Sequence, residues 1–240
     1  MTMLPNFLGI GAKKAGSTWL WANMIQHPEI FLPPNKEIHF FDWNFHKGID
    51  WYANHFTSST SKVKGDMTPD YSGLPVERIA LVKKYMPKVK IILLLRHPVD
   101  RAWSHAVMDL ATLRGRSVDD VTHEEFMEHF NSSESRDKGS YPKIIKNWSK
   151  YFSKKQLFVE HFSKIKNAPE QLLNDIFTFV GVHRVESFDN YPARVKVLPN
   201  QRQYDVIPSI SDKHYEYLLS MYKNDIQLMK TLNFHFDTDS

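Results

Sequence analysis

Cysteine does not occur among the 240 residues. A disulfide framework is thereby excluded, and so is a metal site built on thiolates. Long apolar runs are missing too. No window approaches the roughly 18 apolar residues that read as a membrane-spanning helix. The N-terminal stretch lacks the charged start and apolar segment of a secretory signal. Nor is there a large excess of one charge: 31 Lys plus Arg against 27 Asp plus Glu leave a formal net charge of +4, spread along the chain. A nucleic-acid coat would be more basic. Hydrophobic content of 42%, charged content of 24% and six Trp exclude general disorder. These bounds lead us to expect a globular chain forming a single domain over residues 1–240, cytoplasmic, with no nucleic-acid partner and no membrane span. Oligomeric state has no signature here.

One stretch nearly spells a phosphate-binding loop. Residues 7–21 read Phe-Leu-Gly-Ile-Gly-Ala-Lys-Lys-Ala-Gly-Ser-Thr-Trp-Leu-Trp. An ATP-type loop runs G-x-x-x-x-G-K-[ST], with the lysine after the second glycine and the hydroxyl on magnesium. Here the frame from Gly11 to Gly16 is intact, but Ser17 holds the lysine slot and Lys14 stands inside the loop. Backbone amides, Lys14 and the hydroxyls of Ser17 and Thr18 suit an anion, though not an ATP γ-phosphate with magnesium in the usual way. An ordinary strand-to-helix turn capped by serine is the alternative.

Apolar runs predict strands at residues 6–10, 63–66, 90–95 and 156–161, of which 90–95 is uninterrupted, as in a parallel strand buried on both faces. Helical spacing predicts helices at residues 17–26, 49–56, 75–86, 99–113, 141–152, 169–180 and 211–232. Residues 28–36, with Pro33-Pro34, and residues 185–208 read as irregular. The polar stretch 114–139, with one short helix near 123–130, reads as a mobile insertion on the acceptor side. Strands alternating with helices imply an α/β fold, a P-loop-like three-layer sandwich whose mainly parallel central sheet is flanked by helices. Ligands of such sheets bind beyond the carboxyl ends of strands, where Lys14 and Arg96 both fall.

Two further constellations carry chemistry. In Arg96-His-Pro-Val-Asp-Arg-Ala-Trp-Ser104, the arginine could fork a phosphate while the serine donates a hydroxyl. Eight residues are about 12 Å of helix, so Arg96 has to fold back. Otherwise it pairs with Asp100, and Ser104 is a surface residue. In Lys36-Glu-Ile-His-Phe-Phe-Asp42, alternation along an extended segment would turn Glu37 and His39 to one side. Semi-buried aromatics would raise the Glu37 pKa toward that of a useful proton acceptor. The alternative is a salt-bridged glutamate beside a packed histidine. A metal at His39 is discounted because no H-x-x-x-H or similar spacing supplies further ligands.

Lys14-Ala-Gly-Ser-Thr-Trp19, Lys36 to Asp42, Asp66-Met-Thr-Pro-Asp-Tyr71 and Arg96 to Ser104 occur in the order found in sulfotransferases that use 3'-phosphoadenosine 5'-phosphosulfate (PAPS). The chain resembles most the heparan sulfate N- and 3-O-sulfotransferase branch and its bacterial relatives, over roughly residues 6–182. The resemblance implies that residues 14–19 (Lys14, Ala15, Gly16, Ser17, Thr18 and Trp19) hold the donor's 5'-phosphosulfate, and that Arg96 and Ser104 hold its 3'-phosphate. Lys14 would stabilise the departing phosphate, Glu37 would be the base, and His39 and Asp42 would orient acceptor or base. Met67 and Tyr71 would lie on the substrate side, and no metal is implied. The sequence departs from the branch where Thr18 stands in place of an arginine and Met67 in place of a lysine, which argues against a heparan-like acceptor. No clear Lys-Gly-Arg donor loop follows residue 190; Lys196 and Arg202 are the candidates to replace it. The expected reaction is sulfuryl transfer to a hydroxyl, or secondarily an amine, of a carbohydrate or small metabolite. A P-loop-type kinase and a non-catalytic adenine-nucleotide-binding protein are the alternatives.

Overall fold

The computed structural model describes residues 3–57, 60–192 and 207–236. They fall into two compact units, one of residues 3–57, 60–95 and 145–192, the other of residues 96–144 and 207–236.

The first unit holds the sheet. β1 (Phe7–Gly11) leads through α1 (Ser17–Met24) to β2 (Ile30–Phe31), and α2 (Gly48–Asn54) precedes β3 (Val63–Met67). α3 (Val76–Tyr85) then leads to β4 (Lys90–Leu95). The strand order is β2-β3-β1-β4-β5, and every pairing is parallel. β1 and β3 are buried along their whole length, and so is the apolar run of β4 after Lys90. Parallel sheets covered on both faces require such strands. Close packing fixes the small residues here: a Cβ on Gly9 would stand 2.2 Å from the Met67 sulfur. After β1 the chain moves toward the β2 edge, whereas after β4 it moves toward β5. The adjacent strands β1 and β4 therefore flank a switch point, the place at whose carboxyl ends ligands of open α/β sheets bind.

The second unit begins at Arg96 and is helical. It contains α4 (Pro98–Leu110), α5 (His123–Asn131) and α6 (Ser133–Gly139), and α7 (Tyr141–Ser149) starts within it. β5 (Leu157–His161), α8 (Lys164–Asn167) and α9 (Pro169–Val180) belong to the first unit, and α10 (Asp212–Thr231) to the second. Val99, Trp103, Phe126, Phe130, Leu218 and Tyr222 are among the apolar side chains packed in its core.

Within the polar stretch 114–139, the helix expected near 123–130 is α5, and a further helix, α6, follows it. Thr122 and Glu125 make a reciprocal capping box at the start of α5, and the Ser132 hydroxyl accepts from the Ser135 amide to start α6. Phe126 and Phe130, one turn apart, bury the inner face of α5. The cap of α1 is Gly16, with φ 85° and ψ 15°, and not the serine of the alternative turn reading. A Cβ there would lie 2.4 Å from Ile165 Cδ1, so both backbone and space call for glycine.

Candidate active site

The loop after β1 is the first component. Its Ala12 amide donates to the Leu94 carbonyl at 2.9 Å, which fastens the loop to β4 at the switch point. Lys14 has φ 67° and Gly16 supplies no side-chain oxygen, so no side chain caps the start of α1. Ala15 is buried, while Lys14, Gly16, Ser17, Thr18 and Trp19 are half-buried. A helix start of this kind favours an anion.

Lys36 joins this loop to the second component. Its Nζ donates to Thr18 Oγ1 at 3.0 Å, to Ser17 Oγ at 3.5 Å and to Glu37 Oε1 at 2.8 Å. The other oxygen of Glu37, Oε2, lies 3.5 Å from His39 Nε2, and His39 Nδ1 bonds Asp42 Oδ2 at 2.7 Å. Glu37 and His39 thus converge as expected, by a different device. They are not on an alternating strand: Glu37 has φ 69° and His39 φ 53°. With Lys14, they are three of the four non-glycine residues at positive φ among those described. Such backbone persists where its surroundings impose it, and its gathering at one place points to a functional site. The Trp43 ring stacks on His39 at 3.8 Å and 6° and is 69% exposed, so one face of the histidine is roofed by an aromatic that solvent also reaches.

The electrostatics reverse one expectation. Burial alone would raise the Glu37 pKa, but the hydrogen bond to His39 and the Lys36 charge outweigh it and hold the carboxyl at about 2. For His39, burial opposes the charged ring, yet bonds to Asp42 and Glu37 prevail and raise it to about 9. At neutral pH the ionised Glu37 therefore lies between two cations. A folded-state His39 pKa above the unfolded one stabilises the fold fully below pH 6.5, and the contribution is lost as pH rises through about 9. A His39→Gln variant should accordingly lose the part of the alkaline fall in stability seen between those values. Denaturation midpoints measured across that range check this, and an identical fall in the variant would contradict it.

Behind the site, buried Asp66 at the end of β3 accepts hydroxyl bonds from Thr68 at 2.8 Å, Tyr52 at 2.9 Å and Tyr71 at 3.0 Å. Burial raises its pKa against these bonds. The Tyr71 oxygen in turn accepts from the Phe40 amide at 2.8 Å. Tyr71 is thus a wholly buried post under the segment carrying Glu37 and His39. Met67 is buried against Gly9. Both side chains of this motif pack inward.

Glu37, His39 and Asp70 place one potential metal-ligand atom each within 4.8 Å of one another. The spacing argument against a metal at His39 therefore does not hold, because the third residue comes from a distant loop. Lys36 sits on Glu37, and Lys13 lies 3.8 Å from Asp70, so protein cations meet two of these carboxylates.

In the helical unit, Arg96 is partly exposed, and its carbonyl accepts from Tyr141 Oη at 2.8 Å. Ser104 is 2% exposed, and its hydroxyl has no hydrogen-bond partner among the described residues. A buried orphan hydroxyl is what a residue waiting for a ligand oxygen would show. Arg101, to which the motif reading gave no role, is fully buried and donates to the Ser135 carbonyl at 2.8 Å and to Tyr222 Oη at 3.2 Å, tying α4 to α6 and α10. Arg202 and Lys196 lie outside the described residues.

Comparison with known proteins bears on these components together. The sulfotransferase domain family matches residues 4–197. The chain belongs to the sulfotransferase family. It is 32% identical over 199 residues to the mouse bifunctional heparan sulfate N-deacetylase/N-sulfotransferase 4, covering 75% of this chain and 22% of that one. It is 36% identical over 133 residues to the membrane-associated sulfotransferase kil1 of Dictyostelium discoideum, covering 51% of this chain and 28% of that one. This sulfotransferase chain therefore spans only about a quarter of such relatives. Among solved structures, a sulfotransferase from Alicyclobacillus acidocaldarius superposes with a TM-score of 0.72 at 24% identity, covering 96% of both chains. Mouse sulfotransferase SULT7A1, complexed with PAP, superposes at 0.61 with 18% identity, over 95% of this chain and 86% of that one. These likenesses share the central parallel sheet flanked by helices that the alternating pattern predicts.

Proposed function

We propose that the protein transfers the sulfuryl group of PAPS to a hydroxyl of a carbohydrate or small metabolite. The observation that carries this reading is the Glu37 carboxylate, held by Lys36 beside the hydroxyls at the start of α1. One side chain thereby links an anion-binding helix end to a proton acceptor. In the reaction, the acceptor oxygen forms a bond to sulfur as the bond from sulfur to the phosphate oxygen breaks. The acceptor proton goes to Glu37, and the bonding pair leaves with 3',5'-adenosine bisphosphate. Loop amides, Ser17, Thr18 and Lys14 hold the 5'-phosphosulfate, with Lys14 meeting the charge on the departing phosphate. Arg96 and Ser104 take the 3'-phosphate, a role supported by the orphan Ser104 hydroxyl. The chain supplies the cationic groups this chemistry needs, so the reading invokes no metal.

Glu37 at about pKa 2 is a weak base while Lys36 and His39 flank it. A phosphosulfate arriving at Ser17 and Thr18 would compete for the Lys36 ammonium, and the carboxylate would then gain basicity when the donor is in place. Trp43 beside His39 offers an apolar ring face of the kind on which a sugar or apolar acceptor stacks. An amine acceptor is the second reading, supported by the N-sulfotransferase named among the relatives. The kinase reading is disfavoured by Lys14, which stands before Gly16 where an ATP loop has its lysine after it.

The test is a screen of carbohydrate and small-metabolite acceptors with PAPS labelled at sulfur. Label should appear on a hydroxyl-bearing acceptor, and its appearance only on amines would overturn the first reading in favour of the second. For the donor, Arg96→Ala should weaken binding of 3',5'-adenosine bisphosphate by about 10-fold or more while sparing adenosine 5'-phosphate. That follows from losing a charge-assisted bond worth about 1.5–3 kcal/mol. Equal loss for both ligands would remove Arg96 from the 3'-phosphate.

A further inference from the structure

The helical unit contains a second cluster of chemically capable side chains, which the sulfuryl-transfer reading does not use. α4 presents His105 and Asp109 one turn apart, and α5 presents His129. Asp109 Oδ2 lies 3.1 Å from His105 Nε2 and 3.0 Å from His129 Nε2. The three potential ligand atoms all lie within 4.8 Å of one another, and the two imidazole centroids are 4.8 Å apart.

We propose that His105, Asp109 and His129 form a binding site for a zinc-like divalent cation that bolts α4 to α5. Ligands about 2.0–2.1 Å from zinc at a tetrahedral angle lie about 3.3 Å from each other, close to both observed separations. Two imidazole nitrogens and one carboxylate oxygen form a donor set suited to zinc and its transition-metal neighbours rather than to magnesium or calcium, which take oxygen. Three protein ligands leave a coordination position for water, and solvent has a route to it. A cavity of about 360 Å³ is lined by Asp109 and His129 together with Glu125, Glu128, Glu134 and Arg114. His105 is fully buried and His129 is 10% exposed at its side chain, so both rings are held in place before any ion arrives.

The ion would fix the rotation of α4, the helix in which Ser104 directly precedes His105. This role is independent of the sulfuryl-transfer reading, since it rests on unit-internal geometry alone.

The test uses the full chain, freed of metal with a chelator and dialysed, then titrated with zinc by calorimetry. One ion per chain should bind saturably and raise the melting temperature. His129→Gln, its fold checked by circular dichroism, should weaken zinc binding by at least about 100-fold, the upper end of what loss of an outer partner alone causes. His39→Gln, at the other His-carboxylate cluster, should leave this binding intact. Cobalt in place of zinc should give the visible absorption of a four-coordinate site, lost in His129→Gln. No saturable zinc binding would overturn the proposal, leaving Asp109 as a hydrogen-bond partner of His129 beside His105. Binding that survives a combined Asp109→Asn and His129→Gln change would overturn it too, as would binding lost only in His39→Gln.

Discussion

A Glu37→Gln variant is expected to lose sulfuryl transfer by about 10²–10⁴-fold, the range that a positioned proton acceptor contributes. Binding of 3',5'-adenosine bisphosphate should be nearly unchanged. The amide keeps the size of the side chain and an oxygen for Lys36, which donates to Glu37 Oε1 at 2.8 Å, so the loop hydroxyls keep their partner. What disappears is the proton acceptor. The pH profile adds a second reading of the same site. With Glu37 held at about 2, its protonation should not limit activity on the acid side near neutrality, whereas loss of the His39 charge should give an alkaline limb near pH 9. Full activity in the glutamine variant would remove Glu37 as base. Steady-state rates and calorimetry on one preparation separate the two effects.

The second large effect is expected at Lys14. Lys14→Ala should lower kcat by about 10²–10³-fold, as does removal of one preorganised group facing the charge that develops in a transition state. The donor KM should change much less, because the uncapped first turn of α1 and the hydroxyls of Ser17 and Thr18 still hold the anion. Lys14→Arg keeps the charge but spreads it over a planar fork, and should restore only part of the rate. Lys14 sits at φ 67°, and an arginine at that φ differs in reach. A variant whose defect appears only in KM would reduce Lys14 to a binding contact.

Much of this arrangement could be read from residue order alone, for physical reasons. The run Lys90–Leu95 is apolar without interruption, and only a strand covered on both faces has use for that, so the position of β4 was plain. The loop from Gly11 to Gly16 was legible because its glycines answer local demands of backbone and space. Strand order was not, since β2 is only two residues long and its place at the edge depends on pairing with β3. α6 was missed because Ser133–Gly139 has almost no apolar pattern; it is fixed by the Ser132 cap and by the bond from buried Arg101 to the Ser135 carbonyl.

The site divides in the same way. Glu37, His39 and Asp42 lie within six positions of one another, so their association was visible, but left-handed backbone and not strand alternation brings them together. The direction of the Glu37 pKa was misjudged because the aromatic neighbours are local in sequence. The net charge around it depends on where Lys36 and His39 point. The burial of Tyr71 and Met67 was not legible, since it is a tertiary fact. The His105, Asp109 and His129 cluster has no sequence signature, as its third member arrives from another helix.

The claim at the centre of this account is that the displaced lysine adapts a phosphate-binding loop to a sulfated adenosine donor. Calorimetric titration of the protein with 3',5'-adenosine bisphosphate, and separately with ATP plus magnesium, tests it most directly. The account predicts tight, saturable binding of the bisphosphate and at least about 100-fold weaker binding of ATP, a difference of about 2.7 kcal/mol. Tighter binding of ATP with magnesium would contradict it.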